Sequence, residues 1–371
     1  MEKIKNILFV IQLPPPVHGA SIMNELTKKS AMINSKYNCT YINLSPARDL
    51  QDIGKNSISK YFKILGIYKD VFTKLLINKI DVVYVTLSVT KIGFIKDSII
   101  VLLGKLFRKK IIIHLHGKGI KNDYIKSTYL FKKYYEYVYS NTYVIHLSNC
   151  LTYDTEQFST VKNRFVLPNA IENVNVTKFK KKKTDKLQFL YLSNMIETKG
   201  VLVLVEAITK LREYHNNFIV TFVGKFSNEN FREIFEQKIA VHHLEEIVNY
   251  IGPLYGHDKY QVYKNSDIFL FPTYSKETFG IVNLEAMQFS LPVISTKVGA
   301  IPDIIEDNLT GFLVDEKDAT ALAQKMEIFI LNPSLGEKMG AKGREKYLKK
   351  YTIERFENNL INILKDVIDE N

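Results

Sequence analysis

Cysteine is nearly absent from this chain: Cys39 and Cys150 are the only two among 371 residues. Thiols that far apart make no metal-binding spacing and cannot staple a chain of this length, so reduced thiols in a cytosolic protein are expected. Long apolar runs are also missing. The stretch Ser98–Phe107 is interrupted by Gly104 and Lys105 and falls far short of the ~20 residues that cross a bilayer. The run Ile7–Leu13 is shorter than a signal-peptide core and no small-residue cleavage pattern follows, which predicts a buried first strand and no export signal. No G-x-G-x-x-G follows that strand, which argues against a nicotinamide oxidoreductase. There is no low-complexity tract, and no D-x-D pair suitably placed to bind a divalent metal. Acidic residues are scarce in the first half. Residues 1–170 carry 25 Lys and Arg against 11 Asp and Glu, a balance of +14; the whole chain has +12, so the remainder carries −2. A basic half points to an anionic partner such as lipid, nucleic acid or a phosphorylated molecule, or simply to a Lys-rich solvated surface. No nucleic-acid recognition motif accompanies it, and none of that class of partner is expected.

What is present is an alternation of short apolar runs with longer amphipathic ones, in a chain long enough for two α/β domains. Ile7–Leu13, Cys39–Leu44, Val82–Thr86, Lys110–Leu115 and Thr142–Leu147 read as strands, with helices predicted over Ser59–Ile80, Ile92–Phe107 and Tyr124–Tyr139. A break follows Phe165–Leu167 at Pro168-Asn169-Ala170 and runs into Lys178 and Lys180–Lys183, the composition of a linker or exposed edge. The alternation then restarts. Strands are predicted at Leu187–Leu192, Phe218–Gly224, Val248–Ile251, Ile268–Pro272, Pro292–Ser295 and Gly311–Val314, with helices at Gly200–Tyr214, Asn228–His242, Asp258–Asn265, Gly280–Phe289 and Ala319–Leu331. Such alternation implies parallel sheets with helices on both faces. The expected domains are 1–170 and 171–350 with a ligand cleft between them, and 351–371 as an amphipathic helix returning to the first domain.

The richest segment runs from Phe271 through Glu277, Phe279, Gly280 and Glu285 to Met287. A strand ends, a loop carries Glu277, and a helix opens near Gly280, where free amides and the helix dipole would hold a phosphate. Glu285 lies about one turn inside, placed to accept hydrogen bonds from ribose hydroxyls. Taken singly, Glu277 is equally well a first-turn carboxylate and Glu285 a surface residue. Glu277 and Glu285 form E-x(7)-E within ETFGIVNLEAM, preceded in order by YLSNMIETKG, FVGKF, IGPLYGHDK and SDIFLFPTYSKETFG and followed by LPVIST and VGAIPDII. This set resembles the donor-site signature of family-four retaining glycosyltransferases, which have the GT-B fold of two Rossmann-like domains. The likeness is dense over the C-terminal half.

The resemblance implies roles residue by residue. Lys199 matches the lysine that contacts the donor diphosphate, and Asn194 stands where most members carry an arginine, which removes one positive charge; Lys225 is a candidate to supply part of it. Pro253 and Leu254 fall in the loop whose backbone reads the base. Glu277 matches the glutamate near the transferred sugar, Phe279, Gly280 and Ile281 the loop at the sugar and phosphates, and Glu285 the ribose-binding glutamate.

In the first half, Leu13-Pro-Pro-Pro-Val-His18-Gly19 resembles the P-P-x-x-G-G loop of the family, so Gly19 is expected to approach donor phosphate or acceptor. His116 matches the strand-end histidine that meets donor sugar or acceptor, while His114, on the same strand face, is expected to be packed in the core. No further ligands with convincing spacing accompany these histidines, and no metal is expected.

The implied activity is retaining transfer of a sugar from a nucleotide sugar, UDP-linked for preference, to an envelope or capsular glycan. It needs no cofactor, and the implied location is the cytoplasm, at the inner membrane face where the acceptor is lipid-linked. A non-catalytic sugar-nucleotide or glycan binder and a GT-B-shaped epimerase are the alternatives. Two basic, aromatic-rich helices bear on membrane contact. For Ser59–Ile80 the expectation is packing, with aromatics inside and lysines in water; for Tyr124–Tyr139 contact with anionic lipid stays open.

Overall fold

The computed structural model describes residues 4–45, 58–182, 184–275 and 277–370. The chain divides into two compact units, Met1–Asn169 with Ile353–Asn371, and Ala170–Thr352.

The first unit is built on β1 (Asn6–Ile11), β2 (Asn38–Asn43), β3 (Val82–Thr86), β4 (Lys110–His114), β5 (Tyr143–His146) and β6 (Asn163–Val166). All pairings are parallel, in the order β2-β1-β3-β4-β5-β6. β3 is buried along its whole length and β1 along all but its first residue, because helices cover both faces. That double burial explains why these strands read as unbroken apolar runs. The sequence predicts no strand over β6, which lies just before the break. It is an edge strand of only four residues with Asn and Arg among them, too little pattern to detect.

The helices of this unit are α1 (Gly19–Lys29), α2 (Ala31–Lys36), α3 (Ile58–Ile77), α4 (Lys91–Leu106), α5 (Ile120–Lys126) and α6 (Tyr129–Tyr139). The single helix expected over Tyr124–Tyr139 is therefore two. At the junction the Ser127 hydroxyl donates to Asp123 O at 2.7 Å and both Ser127 and Thr128 adopt extended backbone. Side-chain hydroxyls that bond locally compete with the helical ladder. The packing expected of α3 is also corrected. Val71 and Leu75 are buried, but Tyr61, Phe62, Leu65, Phe72, Leu76 and Ile77 face solvent. Lysines and apolar side chains share the exposed surface of that helix.

The second unit contains β7 (Leu187–Leu192), β8 (Phe218–Val223), β9 (Val248–Tyr250), β10 (Ile268–Phe271), β11 (Val293–Thr296) and β12 (Gly311–Val314), parallel in the order β12-β11-β10-β7-β8-β9. Its helices are α7 (Val201–Arg212), α8 (Glu229–Val241), α9 (Gly256–Asn265), α10 (Ile281–Gln288), α11 (Ile301–Ile304), α12 (Ala319–Leu331) and α13 (Pro333–Lys350). α13 was not anticipated. Gly336, Gly340 and Gly343 depress its intrinsic helicity, and burial of that face overrides the penalty. The Lys180–Lys183 run is partly tied down: Lys181 pairs with Asp267 and Lys182 N donates to Asn265 Oδ1 at 3.2 Å, while Lys183 lies outside the described residues.

The closing helix α14 (Ile353–Asp369) belongs to the first unit. Phe356, Leu360, Leu364 and Val367 are buried, and Lys110 Nζ donates to the carbonyls of Val367 at 2.9 Å and Ile368 at 3.0 Å. A cation at the last carbonyls of a helix satisfies orphan acceptors and complements the dipole.

Candidate functional site

In the second unit the chain builds β7, β8 and β9 toward one edge, then returns to place β10, β11 and β12 on the other side of β7. The order reverses between β7 and β10. In open parallel sheets ligands bind outside the carboxyl ends of the strands at such a switch point. The segments leaving those two strand ends carry Lys199 and Glu277, and the structure brings them together: Lys199 Nζ lies 2.5 Å from Glu277 Oε2, with side chains 25% and 14% exposed.

Backbone contacts hold both loops. Tyr274 N and Thr273 Oγ1 donate to Thr198 O at 2.8 and 3.1 Å. Gly200, at φ +81°, lies so close to the other segment that a Cβ there would sit 2.0 Å from Pro272 O. Only glycine permits this approach without displacing backbone. The turn that presents Lys199 is thus clamped against the strand that leads to Glu277.

Gly280, at φ +76°, caps α10, whose first N–H groups have no intrahelical acceptor. The expected free anion seat is not wholly open. Glu277 Oε1 accepts from Gly280 N at 3.1 Å and from Thr278 N at 3.2 Å, so the chain's own carboxylate occupies part of it. Ile281 begins the helix. The Phe279 ring is buried against Tyr351, which leaves its main chain, not its side chain, to a ligand. Glu285, inside α10, accepts from Lys259 Nζ at 2.7 Å and Tyr263 Oη at 3.0 Å. Neither partner figured in the sequence reading. Both come from α9, and no local spacing links them to Glu285. Asn283 was missed as well: it is fully buried beneath the Gly280 turn with neither amide atom hydrogen-bonded.

Asn194 and Lys225 have exposed side chains and adjoin through the main chain, Met195 N donating to Lys225 O at 2.9 Å. Gly224 N donates to Gly252 O at 3.0 Å, which brings the Pro253–Leu254 loop beside the end of β8.

In the first unit the order reverses between β1 and β3. The loop after β1 leads to His18 and Gly19. His18 Nδ1 accepts from Ser21 N at 3.3 Å and Ser21 Oγ accepts from His18 N at 2.9 Å, a reciprocal cap that starts α1 at Gly19. His114 is buried as expected, its Nδ1 2.5 Å from the Tyr84 hydroxyl. The His116 ring lies against it, tilted by 41° with ring centroids 3.9 Å apart, and both His116 ring nitrogens are buried without a hydrogen-bond partner. Burial, and then the nearby His18, push the His116 imidazole down to about 3, so it is neutral at physiological pH. The loop after His116 is held by Asp154, whose carboxylate accepts from the amides of Gly119, Ile120 and Lys121 at 2.8–3.1 Å. Asp154, far along the chain, gave no signal in the sequence. Among the described residues no three His, Cys, Asp or Glu side chains are grouped to hold a metal ion, and no helix is long and apolar enough to cross a membrane.

Comparison with known proteins adds a likeness over the second unit. Residues 174–346 match the model of glycosyl transferases group 1. Over that stretch, just under half of its length, the chain is similar to the group 1 glycosyl transferases. The capsular polysaccharide biosynthesis glycosyltransferase CapM of Staphylococcus aureus is 29% identical over 175 residues, 47% of this chain and 45% of that one. The amylovoran biosynthesis glycosyltransferase AmsK of Erwinia amylovora is 32% identical over 168 residues, 41% and 40% of the two chains. The chain thus spans just under half the length of these curated relatives. Among solved structures, a glycosyltransferase from Rickettsia africae superposes with a TM-score of 0.77 at 21% identity, covering 99% of this chain and 100% of that one. The Anabaena protein HepE in complex with UDP gives 0.70 at 15% identity, covering 98% and 100%. The two-sheet α/β architecture is that of the GT-B glycosyltransferases. The matched stretch holds both ends of the switch-point pair, Lys199 and Glu277, together with Glu285.

Proposed function

We propose that this protein transfers a sugar, with retention of anomeric configuration, from a nucleoside-diphosphate sugar to a glycan of the cell envelope or capsule. One observation carries the reading: Lys199 and Glu277 meet at the switch point, beside the opening of α10. A donor diphosphate takes the place of the Glu277 carboxylate on Lys199 and the Gly280 amide, an exchange of one anion for another on donors already in position. Glu277 is then freed toward the transferred sugar, and Glu285 moves from Lys259 and Tyr263 to the ribose hydroxyls. Lys225 supplements the charge that Asn194 lacks. Pro253 and Leu254 line the base. In the first unit, Gly19 and neutral His116 serve the acceptor side.

Nothing in the sequence supplies the nucleophile-and-acid carboxylate pair of a retaining hydrolase. Front-face substitution fits better: the bond from the anomeric carbon to the diphosphate oxygen breaks, the acceptor oxygen bonds to that carbon from the same side, and the departing phosphate takes the acceptor proton. The protein's part is to stabilise charge on the leaving diphosphate through Lys199 and the α10 amides, with no metal required. The UDP complex of HepE and the polysaccharide functions named for CapM and AmsK support a UDP-sugar donor and a surface-glycan acceptor. An acceptor of that kind, when lipid-linked, places the enzyme at the cytoplasmic face of the membrane.

The test is a panel of UDP-, GDP- and ADP-sugars screened by thermal stabilisation, followed by turnover with the best donor and its repetition in Lys199→Ala. That variant is expected to lose roughly 2–4 kcal/mol of transition-state stabilisation, the scale of one missing oxyanion donor. Undiminished turnover would remove Lys199 from the mechanism. Donor binding with neither transfer nor hydrolysis would favour a sugar-nucleotide-binding protein, and interconversion of donor epimers would favour an epimerase.

A further inference from the structure

The outward surface of the first unit's helices is unusually apolar. On α3, Phe62, Leu65, Phe72 and Leu76 fall at i, i+3, i+10 and i+14, one stripe about 21 Å long. On α4, Ile92, Ile95 and Leu106 fall at i, i+3 and i+14 and form a second stripe of similar length. Phe62 is 70% exposed, Leu65 60%, Leu76 64%, Ile92 82% and Leu106 70%. The two helices are neighbours: the Tyr68 hydroxyl donates to Lys96 O at 2.9 Å, and the Phe72 and Phe107 rings meet edge-on at 5.4 Å. α6 continues the surface beyond α4, where Phe94 meets Phe131 and the Tyr134 hydroxyl lies 2.6 Å from Ser98 Oγ, and it adds exposed Tyr129 and Leu130. A contiguous exposed apolar face of this kind marks an interaction surface.

Charge decides what the face receives. Residues 58–109 contain ten Lys or Arg and three Asp, and of those three Asp97 is buried. Lys63 and Lys74 line the edge of α3 away from the apolar stripe, and Lys69 sits within it. Two copies stacked on this face would bring like-charged surfaces together, which opposes self-association. An anionic bilayer satisfies both features, since apolar side chains enter the acyl boundary while lysines reach up to the headgroups.

We propose that the α3–α4 face docks on an anionic phospholipid bilayer, with Phe62, Leu65, Phe72, Leu76, Ile92 and Leu106 as the inserting side chains. The proposal does not depend on the donor-site reading. Its test is co-sedimentation of the full chain with phosphatidylcholine vesicles containing about 30% phosphatidylglycerol and with pure phosphatidylcholine vesicles, at about 0.1 M and 0.5 M NaCl. Binding is expected to the anionic vesicles at low salt and to be largely lost at high salt. Leu65→Glu/Leu76→Glu and Ile92→Glu/Leu106→Glu should each abolish it; all four sites are exposed, and circular dichroism should show an unchanged fold. Lys63→Gln/Lys74→Gln leaves the apolar stripe intact and should weaken binding about fivefold per lysine. Equal binding to neutral vesicles, no binding to either, or anionic binding indifferent to these variants would overturn the proposal. So would a dimer in sedimentation velocity that the glutamate variants dissociate, because it would assign the face to a second copy.

Discussion

Replacing Glu277 with glutamine should move nucleotide binding and catalysis in opposite directions. The carboxylate is mostly buried, lies 2.5 Å from Lys199 Nζ, and accepts from two backbone amides at 3.1 and 3.2 Å. A diphosphate needing Lys199 and the Gly280 amide must first displace it. Hydrogen bonds to charged groups contribute about 1.5–3 kcal/mol each, and glutamine, which still accepts from the amides, relinquishes chiefly the ionic one. Taking the low end, a gain of about 1.5 kcal/mol follows, or roughly tenfold tighter binding. Isothermal titration with the nucleoside diphosphate of the best donor measures it directly. Turnover in the same variant should fall, since the proposed function assigns the freed carboxylate to the transferred sugar. The two changes come from one atom pair and distinguish a placeholder from a merely structural glutamate. Binding that weakens in step with turnover, or does not change, would show that Glu277 does not occupy the phosphate seat, and the anion-exchange argument would fail.

Two further expectations follow from the geometry. Gly200→Ala forces a left-handed backbone on a residue with a Cβ and drives that atom into Pro272 O; a loss of about 2 kcal/mol and a melting point lower by about 4–8 °C are expected, with turnover reduced because Lys199 moves. A melting point within error of the parent would refute the clamp. Acid should destabilise the first unit. Burial lowers His116 to about 3 and His146 to about 4, and it lowers His114 too. The folded state therefore binds fewer protons than the unfolded chain, whose histidines titrate near 6.5. The stabilisation is fully present above that value and is lost as pH falls toward the folded values. Taking His116 and His146 alone, the loss between pH 7 and pH 5 is about 3–4 kcal/mol, measurable by urea unfolding at the two pH values. A flat profile would mean that these imidazoles are solvated.

The sequence by itself determined the class of the fold and most of its strands, for a physical reason. A strand covered on both faces favours apolar side chains along its length, and β3 and β10, buried at every position, show this as near-continuous runs. It also singled out Glu277 and Glu285 within one strand–loop–helix segment, and the resemblance to the glycosyltransferase signature added Lys199. Elements lacking such a pattern stayed hidden: β6 at its edge, α13 with its glycines, and the Ser127–Thr128 break. Only the tertiary structure decided what each side chain meets. Sheet order set Lys199 against Glu277 across 78 residues of chain and handed part of the α10 anion seat to the protein's own carboxylate. The same packing gave Glu285 its partners on α9 and fixed the loop after His116 with Asp154. It also turned outward the aromatics of α3 that helical periodicity alone had placed inside. Periodicity states that a helix has two faces, but the neighbours it packs against determine which of them is covered.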